Sequence, residues 1–283
     1  MNNLLKHIKK YTVKSLFIIS FLTINSCAEE EAIAPCVSQF YYEGTPFRQG
    51  DNLVITPKFE SGEEIAGEFT STEGLVILDK QTGQVDVGAS VPGVYTVRKA
   101  MIGNPGCGNR ITLGVIAILP PPAVFNLAES MSGWGLSGAS FLDNTDKKEG
   151  ESSIKTKVDG LVIMQHNLAT PLNAKVGIAQ GELHFWLYIS DPDQLEPNAS
   201  IGQIELTSSG EPDKEELTWV IIPSNFNLKA GWNQMKLKFK DAGVTGGNID
   251  LNAIKFFRLY MFPKEGAQTL TVGIDDMKIL AES

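Results

Sequence analysis

From residue 37 onward, hydrophobic and polar positions alternate in short runs with a period of two, the pattern of strands that bury one face. Runs at 37–42, 53–59, 67–72, 75–78, 84–87, 93–98 and 112–119 are rich in β-branched and aromatic residues and are separated by Gly, Pro, Asp and Ser, so each is predicted as a strand. This first set holds no apolar stripe at helical spacing. A second set follows at 152–158, 161–165, 181–190, 202–207, 216–223, 233–240, 254–262 and 269–280. Its clearest member is GELHFWLYIS at 181–190. Successive side chains of a strand point to opposite faces, so Leu183, Phe185, Leu187 and Ile189 form a core face while His184, Trp186 and Tyr188 form the other. An outer face ordinarily carries Lys, Glu or Thr. Two large aromatics and an imidazole predict either a covering layer or a bound ligand.

Between the two sets stands Leu119-Pro120-Pro121-Pro122-Ala123, where the composition breaks. Strand number and spacing predict an all-β chain: an immunoglobulin-like sandwich over 36–119, a Pro-rich linker at 120–123, and a two-sheet β-jelly-roll over 124–283. Consecutive prolines hold an extended conformation, so the linker is expected to be a semi-rigid spacer that turns the second domain away from the first. With 42% hydrophobic and 20% charged residues, both halves have the makings of a core.

Residues 1–26 depart from this pattern. Lys6, Lys9, Lys10 and Lys14 precede an apolar run at 16–24 that is too short for a bilayer, which takes about 20 residues per crossing. The run ends in Leu22-Thr-Ile-Asn-Ser-Cys27, which resembles a bacterial lipobox. The resemblance implies removal of 1–26 and acylation of Cys27, whose two or three chains anchor a protein stably where one would not. The Ala28-Glu29-Glu30-Glu31 segment in the 27–35 tether resembles the acidic tract that directs Bacteroidetes-type lipoproteins to the outer face of the outer membrane. A conventional secretory signal with a chance Cys is the alternative. Removing the leader changes the formal charge from −9 to 20 − 33 = −13, because four of the 24 Lys and Arg lie in it and none of the 33 Asp and Glu. A surface this acidic argues against nucleic acid and against anionic headgroups, leaving the lipid as the membrane contact. Cys36 and Cys107 then remain as an even pair in an oxidising compartment, expected as a disulfide, with two free thiols as the alternative.

Two further resemblances bear on the domains. In 67–97, GLVI, TGQV and SVPGVYTV follow the order of the Ig/cadherin-like repeats of Bacteroidetes surface proteins, which implies a stalk. In the second half, EGESSIK at 149–155, HFWLY at 184–188, GWN followed by MKLKF at 231–239, and IDDMKI at 274–279 resemble β-sandwich carbohydrate-binding modules. That resemblance implies an oligosaccharide or polysaccharide ligand, with outer-membrane transporters or glycan-degrading enzymes as partners.

Sugar rings present C–H bonds that stack on aromatics and hydroxyls that pair with polar side chains. The candidate lining is His184, Trp186 and Tyr188 with Gln203, Glu205, Arg258 and Tyr260, expected as one row on one sheet, plus Trp134 as an exposed aromatic between glycines. The alternative is that these aromatics pack beneath a loop. The strand at 233–240, with Lys236, Lys238 and Lys240 outward, is expected on a separate, solvated exterior. Trp219 and Trp232 are expected to be packing residues. Glu129, Glu149, Asp275 and Asp276 match positions that in such modules surround a structural Ca²⁺, which takes six to eight oxygens; ordinary solvated carboxylates are the alternative. No nucleophile, zinc or phosphate-loop motif is present, so no catalytic residue is assigned and a binding protein is expected rather than an enzyme. Glu205 and Glu216 form the one conceivable glycosidase pair, although Glu215 and Glu216 follow a loop where charges are normally solvated. A structural or adhesive surface protein, or a jelly-roll hydrolase or lyase, remains the alternative.

Overall fold

The computed structural model describes residues 39–60, 66–101 and 110–282. The leader, Cys27, Cys36 and Cys107 lie outside them. Alternation shapes the first region directly. Strands β1 (Phe40–Tyr41), β2 (Phe47–Arg48), β3 (Val54–Ile55), β4 (Lys58–Phe59), β5 (Gly67–Ser71), β6 (Val76–Asp79), β7 (Gln84–Asp86), β8 (Gly93–Met101) and β9 (Ile111–Leu119) form sheets ordered β2-β9-β8-β5, β3-β7-β6 and β1-β4. Their inward residues, among them Phe40, Phe69, Val85, Tyr95, Val97 and Ile116, share one core. The predicted strand at 53–59 divides at Pro57, which has no N–H for a ladder, and its halves pair with different partners, β3 with β7 and β4 with β1. At the β6–β7 turn Gly83 has φ +71°, and a Cβ there would lie 2.8 Å from the Phe69 ring. Glycine is what lets this turn close on the core.

The second region comprises β10 (Ala123–Asn126), β11 (Trp134–Leu136), β12 (Ala139–Asp143), β13 (Ser153–Val158), β14 (Val162–Leu172), β15 (Gly181–Ile189), β16 (Gly202–Thr207), β17 (Glu216–Ile221), β18 (Gly231–Lys238), β19 (Gly243–Thr245), β20 (Ile254–Met261) and β21 (Leu270–Ala281). They make two six-stranded sheets. One runs β12-β13-β21-β15-β18 with β10 also on β21, and the other runs β11-β14-β20-β16-β17-β19. Between them lies one core that includes Leu183, Phe185, Leu187, Ile189, Ile204, Leu206, Phe257, Leu259 and Met261. This is the two-sheet β-sandwich expected from the strand spacing. The eight predicted strands are all present. Those the pattern did not announce, β10, β11, β12 and β19, are five residues or fewer and lie among Gly, Ser and Pro.

The linker between the regions is held at both ends. Ala123 opens β10 and pairs with Ile279 of β21. Arg48 donates to the carbonyl of Pro120 (3.2 Å) and to that of Ala281 (2.8 Å), so one guanidinium joins β2, the linker and the last strand. The linker is therefore not a bare spacer. No helix among the described residues is long and apolar enough to cross a membrane.

Candidate functional site

The second sandwich has two outer faces, and the candidate residues divide between them. Strand β15 sits between β21 and β18, and its alternation behaves as expected: Leu183, Phe185, Leu187 and Ile189 are buried, and His184, Trp186 and Tyr188 are half-buried on the other side. The expectation about β18 is corrected. It is the direct neighbour of β15, with His184 opposite Lys236, Trp186 opposite Gln234 and Tyr188 opposite Trp232. Residues directly opposite in a ladder share a face, so the lysines belong to the aromatic surface rather than to a separate exterior.

Ammonium groups occupy that surface. The Lys148 Nζ lies 4.7 Å from the Trp186 ring centroid, and the Lys155 Nζ lies 4.1 Å from Tyr188 and 5.3 Å from Trp232. Tyr188 and Trp232 meet edge to face at 5.3 Å. Lys155 is itself 3% exposed and bonds Asp143 (2.9 Å) and Asp146 (2.6 Å), while Trp232 Nε1 donates to Asp146 at 2.7 Å. Burial alone pulls the Lys155 pKa down, but the bonds to Asp146 and Asp143 outweigh it and raise it. The bonds from Thr145 and Lys155 hold Asp143 well below the usual carboxylate range. His184 bonds Glu182 at 2.7 Å, and burial lowers its pKa. The chain between β12 and β13 carries Lys148 and docks there, its Lys148 and Glu149 amides donating to Asp275 Oδ2 at 2.6 and 3.1 Å. The loop at 144–152, rather than a segment after β15, thus sets a cation over Trp186, while β13 sets one over Tyr188.

Gln203, Glu205, Arg258 and Tyr260 lie on the opposite sheet, so the single row expected from the sequence is corrected to two surfaces. Here β14, β20 and β16 are adjacent. Ile163, Tyr260 and Gln203 form one cross-strand row; Gln165, Arg258 and Glu205 form the next. Arg258 grips Glu205 as a fork, Nε to Oε2 at 2.5 Å and Nη2 to Oε1 at 2.8 Å, and its Cζ lies 5.1 Å from the Tyr260 ring. Such a bidentate pair fixes the guanidinium plane. The Nη1 hydrogens stay outside the fork. Burial opposes the Arg258 charge, yet Glu205 more than restores it and the pKa rises. Leu161, Ile163, Gln165, Arg258 and Tyr260 line an open cleft of about 210 Å³. Tyr260 meets the exposed Phe262 edge to face at 5.9 Å. Phe256, two positions from Arg258 and so on the same side of β20, is buried at 2% exposure.

Trp134 is a further correction. It turns inward on β11, opposite His166, with their rings 4.9 Å apart and Phe257 edge-on at 6.5 Å. Trp219 is core as expected, its Nε1 donating to the Lys238 carbonyl at 3.0 Å.

Of the four carboxylates expected around one cation, those of Glu129, Asp275 and Asp276 have protein partners. Glu129 accepts from the amides of Glu151 (2.7 Å) and Ser152 (2.8 Å), tying down the turn before β13. Gly150, at φ +59°, makes room for it, since a Cβ there would fall 1.5 Å from Glu129 Oε1. Burial raises the Asp275 pKa, and Asp276 pairs with Lys278 at 2.6 Å. Glu149 contributes its amide to Asp275.

Among the described residues, the group of Asp, Glu, His or Cys whose ligand atoms all fall within 4.8 Å of one another is Glu205, Asp213 and Glu216. Glu205 and Glu216 are both 0% exposed, so the expectation that Glu216 is a solvated turn charge is corrected. It is the first residue of β17, opposite Thr207 of β16, and its Oε2 accepts from the Asp213 amide of the 208–215 loop at 2.8 Å, so sheet and loop enclose it. Burial pushes its carboxyl up to about 7, with the charge of Glu205 adding to the effect. As a glycosidase pair the two fail on access, because neither offers surface to a glycosidic bond.

No protein-family model matches the chain, and no curated protein matches it. Among solved structures it is similar to a carbohydrate-binding module described as a promiscuous member of the β-sandwich superfamily, at 13% identity and a TM-score of 0.46, covering 86% of this chain and 97% of that one. It is also similar to a family 11 carbohydrate-binding module from Clostridium thermocellum in complex with a β-1,3-1,4-mixed-linked tetrasaccharide, at 12% identity and a TM-score of 0.38, over 57% of this chain and 96% of that one. A third similarity is to an exo-β-agarase, at 12% identity and a TM-score of 0.39, over 57% of this chain and 25% of the agarase.

Proposed function

We propose that this protein is a non-catalytic surface lipoprotein that holds extracellular glycan on the β14–β20–β16 face of its second sandwich. The observation that carries the reading is the pair of adjacent rows in which Tyr260 and a forked Arg258 stand between Gln165 and Gln203 around an open cleft. A sugar ring set against Tyr260 and Phe262 buries its C–H face, while the Arg258 Nη1 hydrogens and the amides of Gln165 and Gln203 reach its hydroxyls. The β15 face, with lysines over its rings, serves the fold. In this reading the first sandwich is an Ig-like stalk and Cys27 carries the lipid. The protein is then held at the outer face of the outer membrane, where it presents polysaccharide to transporters or glycan-degrading enzymes.

Affinity electrophoresis of the full chain in gels containing neutral polysaccharides tests the binding. At least one polysaccharide is expected to retard the protein, and Gln165→Ala is expected to restore free migration; no retardation across the panel overturns the proposal. Incorporation of a clickable fatty acid tests the anchor. Label is expected on the wild type and absent from Cys27→Ser, and label on both contradicts it.

One observation favours protein contacts by the first sandwich. On the outer side of β8 and β9, Val94 is 76% exposed, Leu113 and Val115 each 58%, and Ile111 51%. An apolar row of this kind on a soluble face marks a contact surface. Self-association that Val115→Lys abolishes in sedimentation velocity supports a second copy as the partner, and a monomer throughout removes that option.

A further inference from the structure

The Glu205, Asp213 and Glu216 group lies at the end of the β16–β17 ladder, beside the glycan face but not part of its cleft. Its charge does not balance. Three carboxylates face one guanidinium, so with all groups ionised the local sum is −3 + 1 = −2. Arg258 is committed to Glu205 by the fork, and its Nη2 is 3.7 Å from Asp213 Oδ1. Glu216 gets less. Its Oε2 accepts from the Asp213 amide at 2.8 Å, but Oε1, fully enclosed, has no donor at all. A buried carboxylate oxygen without a partner is costly, and native structures rarely leave one so. No amide or hydroxyl donates to it, and a carboxylate oxygen of Glu216 lies within 4.8 Å of carboxylate oxygens of both Glu205 and Asp213.

We propose that this cluster binds one hard divalent cation of the calcium class, with Glu205, Asp213 and Glu216 each giving carboxylate oxygen. Such an ion cancels the two excess charges and gives Glu216 Oε1 the partner it lacks. Oxygen-only ligands are what Ca²⁺ and Mg²⁺ take, and neither needs an all-protein shell. Asp213, whose side chain is 75% exposed, opens the site on one side, where water completes the coordination. The Glu205 oxygens keep lone pairs for the ion while accepting from Arg258, because an ionised carboxylate has about four acceptor positions. The ion would also pin the 208–215 loop to the sheet, since Asp213 lies in that loop and Glu205 and Glu216 on the strands it joins. The site differs from the carboxylates around Glu129 and Asp275 and does not depend on glycan binding.

Calorimetric titration of the full chain, stripped with chelator and given CaCl₂ or MgCl₂ alone with no glycan, tests this. One cation per chain is expected, together with a rise in melting temperature. Because Asp213 is exposed, Asp213→Asn keeps the fold, and it is expected to weaken binding at least about tenfold and to abolish the rise. Glu216→Gln is expected to do the same, whereas Glu129→Gln leaves this binding intact. Absence of binding with both metals overturns the proposal and assigns the proton, rather than an ion, to Glu216. Binding that is unchanged in Asp213→Asn and Glu216→Gln overturns it too, by placing the ion elsewhere.

Discussion

On the β15 face, Trp186 and Tyr188 each have a lysine ammonium over the ring, and the loop that carries Lys148 is bonded to the sheet through Asp275. On the β20 face, Arg258 is turned edge-on into Glu205, and Tyr260 lines a cleft. Both faces combine aromatics with basic and acidic groups. What separates them is where the cation's hydrogen bonds go. Lys155 points its charge at the rings and satisfies it with Asp143 and Asp146, which closes the surface. Arg258 spends one edge on a buried carboxylate and leaves its Nη1 hydrogens outside that fork. Both faces set a cation by a ring, Lys155 at 4.1 Å from Tyr188 and Arg258 Cζ at 5.1 Å from Tyr260, so aromatic content alone does not distinguish them; the hydrogen bonds that seat each cation do.

The largest expected difference between the faces is in stability. Arg258→Met leaves the Glu205 charge enclosed and unpaired and is expected to cost roughly 3–5 kcal/mol in urea unfolding, with Glu205→Leu in the same chain recovering most of it. Lys155→Met leaves Asp143 and Asp146 near enough to solvent to be hydrated, so about 2 kcal/mol is expected. Equal costs would mean that the two cations are seated alike. A second contrast is in pH. The folded pKa of Glu216 is raised to about 7, so in chelator the native state binds its proton more tightly than the unfolded chain does. Stability from this group is full below its unfolded value, near 4.5, and is lost as pH rises toward 7. Asp143 has the opposite sign: its folded pKa is depressed, so its contribution is present above the unfolded value of 3.8 and is lost on acidification below it. Melting temperature against pH should therefore lose the slope between 4.5 and 7 in Glu216→Gln and keep its acid limb. An unchanged slope contradicts the burial of Glu216. The smallest effect is expected for Lys148→Ala, about 0.5–1 kcal/mol for one cation–π contact at a partly exposed site. A cost near zero would show that Lys148 only rests on Trp186.

The alternation in GELHFWLYIS identified its buried face residue by residue, because period two is local and the core enforces it. It also identified Arg258 and Tyr260 as outward-facing. It could not show that β15 pairs with β18 while β20 pairs with β14 and β16, since non-local pairing leaves no mark in either strand. Alternation alone therefore joins residues from opposite sheets into one row and sets the lysines at 236 and 238 apart from the aromatics. Trp134 misled through its glycines, which let the ring turn onto His166 as readily as into solvent. Glu216 had a usable signal: it sits one residue before Leu217 in a strand, opposite Thr207, and so belongs to the sheet rather than the loop. The Phe47–Arg48 strand was too short to announce itself, although Arg48 bonds both the linker and β21.

The central claim is that the sugar surface is the face of Tyr260 and not that of Trp186. Calorimetric titration of Tyr260→Ala and Trp186→Ala, each with the oligosaccharide released from whichever polysaccharide retards the wild type, decides it. Tyr260→Ala is expected to weaken binding at least about tenfold while Trp186→Ala stays within about twofold, as removal of one stacking partner and of none would give. The reverse order, with Trp186→Ala losing binding and Tyr260→Ala keeping it, would return the site to the β15 face and contradict the account.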